Sequence, residues 1–168
     1  LCEDFVRDKD AVSACAILAE IAAWAKDQGI TMYQLLQNIY VQYGFSKEKG
    51  ISVVKKGKSG AEEIEAMMKH FRENPLQEIA GSKVTLFYDY ASLKGKDYVE
   101  NETLTLDMPT TSNVLQYFTE DGTKVSIRPS GTEPKIKFYC EVHSKVKSLD
   151  ELPAAEKAGA EKIEAIKA

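Results

Sequence analysis

Residues 113–142 read NVLQYFTEDGTKVSIRPSGTEPKIKFYCEV, and this stretch decides the fold. Apolar and polar residues alternate from 113 to 119 and again from 124 to 128, and Asp121-Gly122 between the two runs is a β-turn signal. In a third run Ile136, Phe138 and Cys140 alternate with charged or aromatic residues. The stretch therefore predicts successive strands of an antiparallel sheet.

The elements around this stretch complete an α+β pattern. Residues 83–90 also alternate, which predicts a half-buried strand. Its two faces are expected to hold Val84, Leu86, Tyr88 and Tyr90 on one side and Thr85, Phe87 and Asp89 on the other. Capping boxes at Ser59/Glu62 and Ser148/Glu151 predict flanking helices. The fold class is α+β, a small antiparallel sheet covered by helices.

Two helices are predicted ahead of this sheet. Asp10 is the expected N-cap of an Ala-rich, buried helix that ends near Gly29. A capping box of Thr31 and Gln34 begins a second helix that ends near Gly44, so the two helices form an antiparallel pair. Residues 45–56 are expected to be an extended segment leading out of the pair. We place a domain boundary near residue 50, which gives domains 1–50 and 51–168.

Composition limits the classes of function. The 168 residues carry a formal net charge of -4 and a pI of about 5.3, which argues against a general nucleic-acid surface. No apolar run is long enough for a membrane span. Three cysteines (Cys2, Cys15, Cys140) without metal-ligand spacing favour a reduced, cytoplasmic setting. The chain begins at Leu1, which indicates a piece of something longer.

The segment RPSGTEP holds more chemistry than a hairpin needs. Arg128 brings a guanidinium that can grip two oxygens of one phosphate. Ser130 and Thr132 offer hydroxyl donors on either side of Gly131, which is expected to take a positive φ and turn successive N–H groups toward one point. Lys135 is a candidate second cation at the rim. These residues predict a phosphate-binding loop, and the alternative is a plain turn.

The string IRPSGTEPKIKFY resembles the phosphate-binding loop in the last domain of the α-D-phosphohexomutases, the bacterial phosphoglucomutase/phosphomannomutase family. The stretch VRDKDAVSACAILAEIAAWAKDQGITMYQLLQNIYVQYG resembles the closing helices of that family's third domain. The resemblance implies that residues 1–50 end domain three, an α/β domain, and that 51–168 form domain four, which has a TBP-like fold.

The resemblance also implies a function. The family interconverts hexose 1-phosphates and 6-phosphates with a phosphoserine, a magnesium ion and a sugar-reading loop, all expected outside this chain. Arg128, Ser130, Gly131 and Thr132 are then expected to hold the phosphate that is not transferred. Lys9 resembles a basic position facing the active cleft, although a solvated charge is an equal interpretation. The chain alone is expected to bind hexose phosphate, inorganic phosphate or sulfate without turnover, and to hold no metal.

Other residues and other functions keep simpler interpretations. Tyr139, His143 and Asp89 are expected to be ordinary sheet-surface residues. Partners are expected to be the remaining domains of a parent chain, and neither nucleic acid nor a membrane. A stand-alone phosphate-sensing or partner-binding module without catalysis is the alternative function.

Overall fold

A computed structural model describes residues 9–55 and 57–167, and it divides into a helical unit and a sheet unit. The helical unit holds α1 (Ala11–Asp27), α2 (Met32–Tyr43) and residues 145–152. The sheet unit holds residues 45–144 and 153–168. Its elements are β1 (Phe45–Val54), α3 (Gly57–Glu73), β2 (Glu78–Ile79), β3 (Ser82–Asp89), β4 (Lys94–Asp97), β5 (Glu102–Thr105), β6 (Leu115–Thr119), β7 (Lys124–Pro129), β8 (Lys135–Ser144) and α4 (Leu152–Lys167).

The caps predicted for the helical unit are present. The Asp10 carboxylate accepts a hydrogen bond from the backbone N–H of Val12 at 2.9 Å, so α1 begins where the sequence predicts. Thr31 and Gln34 form the reciprocal capping box of α2. The expectation that α1 is a buried helix is wrong for this unit, because among its described residues Ala25 alone is buried.

In the sheet unit the predicted fold class is confirmed. All pairings are antiparallel, in the order β1-β8-β7-β6-β3-β4-β5, with β2 paired to β3. The predicted hairpin is β6 and β7, and Gly122 in its turn has a φ of 82°. The core lies on one face of the sheet, where α3 packs and where Ile166 of α4 contributes: Ile64, Met68, Ile79, Val84, Phe87, Leu115, Tyr117, Val125, Ile127, Ile136 and Cys140.

The structure adds a pairing partner for residues 45–54 and moves the start of α3. Residues 45–54 are an edge strand, β1, that pairs with β8 along its whole length, since Ile51 and Val53 pack against the core. The domain boundary near residue 50 stays a prediction; residue 50 itself lies within β1, and the two compact units divide before Phe45. Helix α3 begins at Gly57, so Ser59 lies inside it rather than at its N-cap.

A β-bulge changes the predicted faces of β3. The register of β3 with β6 shifts between Val84 and Leu86. An extra residue in one strand reverses the side on which the following side chains lie. As a result Val84 shares the buried face with Phe87 and Asp89 instead of with Leu86.

In the described part of the chain, no helix is both long enough and apolar enough to cross a bilayer.

Candidate phosphate-binding site

Residues 130–134 connect β7 to β8, and backbone hydrogen bonds close this loop at its base. The N–H of Ser130 donates to the carbonyl of Lys135 at 2.8 Å, and the N–H of Lys135 donates to the carbonyl of Glu133 at 2.7 Å. The N–H of Lys55, the residue that follows β1, donates to the carbonyl of Pro134 at 2.9 Å. The loop is thus anchored at both ends while its tip, Gly131 and Thr132, is exposed.

Arg128 lies at the end of β7 on the face opposite the core, because it alternates with the buried Ile127. Its side chain is exposed, and the described residues offer it neither an ion pair nor a side-chain hydrogen bond. Lys137 of β8 lies directly opposite Arg128 in the pairing of β7 with β8. The guanidinium is therefore available to an external anion.

The loop residues are organised differently from the predicted nest. The Ser130 hydroxyl accepts the N–H of Thr132 at 3.4 Å, a local turn that leaves its own O–H free to donate. The expectation of a positive φ at Gly131 is wrong, since the positive-φ glycines of the described chain do not include it. A Cβ built on Gly131 meets nothing within 4 Å. What distinguishes this glycine is open space at the loop tip, through which a ligand can approach the backbone.

Of the two candidate lysines, Lys135 is already paired within the loop, and the role of Lys9 stays a prediction. Lys135 forms an ion pair with Glu133, and the hydrogen bond and charge of Lys135, with a smaller effect of Lys137, lower the pKa of Glu133. The Lys135 charge is therefore already compensated inside the loop. Lys9 is exposed and belongs to the helical unit, outside the unit that carries the loop.

Lys137 is the functional candidate that sequence reasoning missed. It stands directly opposite Arg128 in the hairpin register, and the described residues give it no ion pair. Two like charges placed opposite each other on a sheet repel, which an anion between them would relieve. The signal was present in the sequence, because counting outward from the loop pairs residue 128 with residue 137.

A cleft of about 540 Å³ lies between the loop and α3. Pro129, Ser130 and Glu133 line it on the loop side, and Arg72 of α3 lines the other wall. Of the four predicted phosphate-binding residues, Ser130 alone lines this cleft. The structure thus places Ser130 toward the helix side of the loop and Arg128 on the outer face of the sheet.

Near this cleft, Asp89 is buried rather than on the sheet surface as expected. Its residue exposure is 5%, and its carboxylate accepts the Arg72 Nε–H at 3.1 Å and the Ser92 hydroxyl at 2.8 Å. A second guanidinium nitrogen, Arg72 Nη2, donates to the Asn113 side chain at 2.9 Å. Because the β3 bulge turns Asp89 inward, Arg72 is required there as its counter-ion.

Among the residues that the structure describes, His, Cys, Asp and Glu side chains form no group of three or more that could hold a metal ion. A magnesium site does not fit these residues.

The amino-acid sequence is similar to proteins of one known family. Residues 52–159 match the family model described as "Phosphoglucomutase/phosphomannomutase, C-terminal domain". The chain is 40% identical over 139 residues to the phosphoglucomutase of Staphylococcus aureus strain MRSA252, covering 83% of this chain and 25% of that protein. It is 36% identical over 139 residues to the phosphoglucomutase of Staphylococcus haemolyticus, with the same coverage.

Among solved structures, the open form of parafusin, a Paramecium phosphoglucomutase, is similar at 19% identity and a TM-score of 0.45. That match covers 97% of this chain and 28% of the parafusin chain. The chain spans about a quarter of the length of the curated relatives it matches.

Proposed function

This chain belongs to the phosphoglucomutase/phosphomannomutase family through its C-terminal domain, and from that premise we propose that Arg128 and residues 130–132 bind a phosphate group of a hexose phosphate. The bound group is the phosphate that is not being transferred. In this proposal Ser130 and Thr132 donate from their hydroxyls, and the ligand approaches the backbone at Gly131.

The observation that carries the proposal is the uncompensated charge beside the loop. Arg128 is exposed and has no ion pair among the described residues, and Lys137, which is half-buried and also has no ion pair among them, lies opposite it. Like charges directly opposite each other on a sheet repel, and an anion bound between Arg128 and Lys137 would relieve that repulsion. A planar guanidinium fits two phosphate oxygens at once, which favours phosphate or sulfate over a monovalent halide.

The proposed reaction is that of the whole enzyme. Interconversion of hexose 1-phosphate and 6-phosphate, with glucose or mannose as the sugar, would take place with a nucleophilic serine and magnesium ligands supplied from outside this chain. Residues 128–132 would then bind and orient, and the chain alone would not turn substrate over. Free thiols at Cys15 and Cys140 support a cytoplasmic setting for this enzyme.

Titration calorimetry with inorganic phosphate tests the binding proposal. A bidentate charged contact is worth about 1.5 to 3 kcal/mol, so Arg128→Ala is expected to weaken binding by about tenfold or more. Arg128→Lys keeps the positive charge but loses the bidentate geometry of the guanidinium. Its affinity for phosphate is expected to lie between that of the wild type and that of Arg128→Ala. Lys94→Ala removes an exposed strand cation elsewhere in the sheet and serves as the control for net charge.

Sulfate is expected to compete with phosphate in the same titration. Equal affinity of the wild type, Arg128→Ala and Lys94→Ala proteins for phosphate would remove Arg128 from the site. Sustained conversion of glucose 1-phosphate by the purified chain would contradict the assignment of the chemistry to residues outside it.

A further inference from the structure

An apolar cavity of about 260 Å³ lies in the sheet unit, on the core face of the sheet between α3 and α4. Strands β1, β8 and β7 form its floor, where Ile51, Phe138 and Ile127 line it. Phe71 of α3 and Ile166 of α4 line its two sides. Of these five side chains Ile127 alone is buried, and the other four are half-buried. The two helices thus leave apolar surface uncovered between them.

Contacts within the protein fix the walls of this cavity. The ring of Phe71 packs edge-on against the ring of Phe138, with centroids 6.2 Å apart. The Phe71 carbonyl accepts the Tyr117 hydroxyl at 2.9 Å, which holds the last turns of α3 against the sheet. Burial raises the pKa of the Cys140 thiol, so this side chain contributes a neutral, weakly polar surface to the lining. The cavity is therefore preformed and apolar.

The lining favours a ligand with a hydrocarbon body. An apolar cavity offers water few hydrogen-bonding partners, and one of about 150 Å³ lined by leucine, isoleucine and phenylalanine stays dry and binds benzene. On that scale the volume of this cavity accommodates about ten carbon atoms. A hydrocarbon chain of that size would remove from water the half-buried surfaces of Ile51, Phe71, Phe138 and Ile166.

Two lysines give the rim of the cavity a positive charge. Lys167 of α4 lines the cavity and forms an ion pair with Glu164. Lys49 of β1 lies directly opposite Cys140, so its side chain is on the core face of the sheet, two residues from Ile51. Lys49 is exposed and has no ion pair among the described residues. The rim therefore favours an anionic head group over a cationic one.

We propose that this cavity binds a medium-chain fatty acid of about ten carbons. The hydrocarbon chain lies in the cavity, and the carboxylate lies at the rim beside Lys49 and Lys167. Apolar walls with a few charged groups that set the direction of the ligand are typical of small-molecule sites. Binding is non-covalent and does not depend on the phosphate site proposed at Arg128.

Titration calorimetry of the full chain with hexanoate, octanoate, decanoate and dodecanoate, each below its micelle-forming concentration, tests this inference. Each methylene group that enters the cavity is expected to raise the affinity by about fourfold, until the cavity is full near ten carbons. Decylamine has the chain of decanoate and the opposite charge, so it should bind more weakly. Equal or tighter binding of decylamine, or no saturable binding of any of the four acids, would overturn the proposal.

Two variants locate the ligand. Ile166→Phe fills part of the cavity, which displaces more than one methylene group and should weaken decanoate binding by about tenfold or more. Lys49→Glu reverses a charge at the rim and should weaken it by about threefold, as expected for an exposed charge. Lys94→Glu makes the same change in net charge on β4 and should leave the affinity unchanged. Wild-type affinity in folded Ile166→Phe would place the ligand elsewhere and refute the cavity site.

Amide shifts in the wild-type protein provide a measurement that needs no variant. Decanoate should shift the amide signals of Ile51, Ile127 and Phe138, which line the cavity, and leave those of Glu102 and Thr103 in β5 in place. Shifts confined to residues outside the lining would contradict the proposal even if calorimetry detects binding.

Discussion

At the scale of one residue, a substitution at Gly131 is expected to change phosphate affinity but not the free energy of unfolding. Its φ is not positive and a Cβ there meets nothing, so Gly131→Ala is expected to change the free energy of unfolding by less than about 0.5 kcal/mol. The added methyl group stands where the ligand approaches the backbone, so phosphate affinity should fall. Urea denaturation and calorimetry measure the two quantities on the same sample.

Gly122 provides the contrast for this prediction. It has a φ of 82°, and an alanine there is strained whatever the space around it, so Gly122→Ala should destabilise by about 1 kcal/mol. Unchanged phosphate affinity in Gly131→Ala would show that the ligand does not approach the loop tip.

Arg72 and Asp89 form the second prediction at this scale. Asp89 is buried and forms an ion pair with Arg72, so Arg72→Ala, which removes this partner, should lower the free energy of unfolding by about 2 kcal/mol. Lys69→Ala breaks an exposed ion pair with Glu73 on the same helix and should cost much less. Equal losses in urea denaturation would mean that the Asp89 carboxylate does not depend on Arg72.

At the scale of elements, one lysine ties α4 to two turns of the sheet. Lys162 Nζ donates to the Ala80 carbonyl and forms an ion pair with Asp121, both at 2.8 Å. The hydroxyl of Thr119 and the N–H of Thr123 also donate to Asp121. The C-terminal helix is therefore fixed to the β6–β7 turn by the polar contacts of Lys162 and Asp121 as well as by the apolar side chains of Ile163 and Ile166.

This cluster predicts a dependence of stability on pH. Burial alone would raise the pKa of Asp121, but hydrogen bonds from Lys162, Thr119 and Thr123 outweigh it and hold the pKa well below its usual value. A lowered pKa stabilises the fold above the unfolded-state value of about 3.9, and this stabilisation is lost as the pH falls toward the folded-state value.

Urea denaturation between about pH 2 and pH 7 measures the effect, because Asp121→Asn should flatten the acid side of the profile. Glu161→Gln, an exposed carboxylate on the same helix, should leave the profile unchanged. A wild-type profile that is flat below about pH 4 would contradict the role of Asp121.

At the scale of the whole molecule, the two units differ in what they bury. The sheet unit has a contiguous core, with Leu115, Tyr117 and Ile136 fully buried. In α1, by contrast, Ala25 is the one buried residue of those described, and Val12, Leu18 and Trp24 are exposed.

Hydrogen exchange should therefore be slowest at the amides of β6, β7 and β8 and fastest at those of α1. Opening free energies follow local burial, so the difference should span several orders of magnitude in exchange rate. Mass spectrometry of peptides from each element measures it. Protection of α1 equal to that of β7 would show that this helix is stabilised by more than its own contacts.

The sequence by itself determined the features whose causes are local. The Asp10 cap, the Thr31/Gln34 capping box and the Asp121-Gly122 turn each depend on residues within four positions of one another. Alternation with a period of two predicted β6, β7 and β8, because it is a property of a single strand. The prediction of a phosphate-binding loop likewise depends only on the residue types in the segment RPSGTEP.

Tertiary structure alone decided the features that depend on register between distant segments. The pairing of residues 45–54 with β8 joins positions that are far apart in the sequence, from Val54 with Lys135 to Phe45 with Ser144, and no local pattern encodes it. The bulge after Val84 reversed the faces of β3, which buried Asp89 and made Arg72 its counter-ion. Tyr90, which follows β3, and Gln116 of β6 become hydrogen-bonded neighbours for the same reason, because the pairing of β3 with β6 brings together segments that are distant in the sequence.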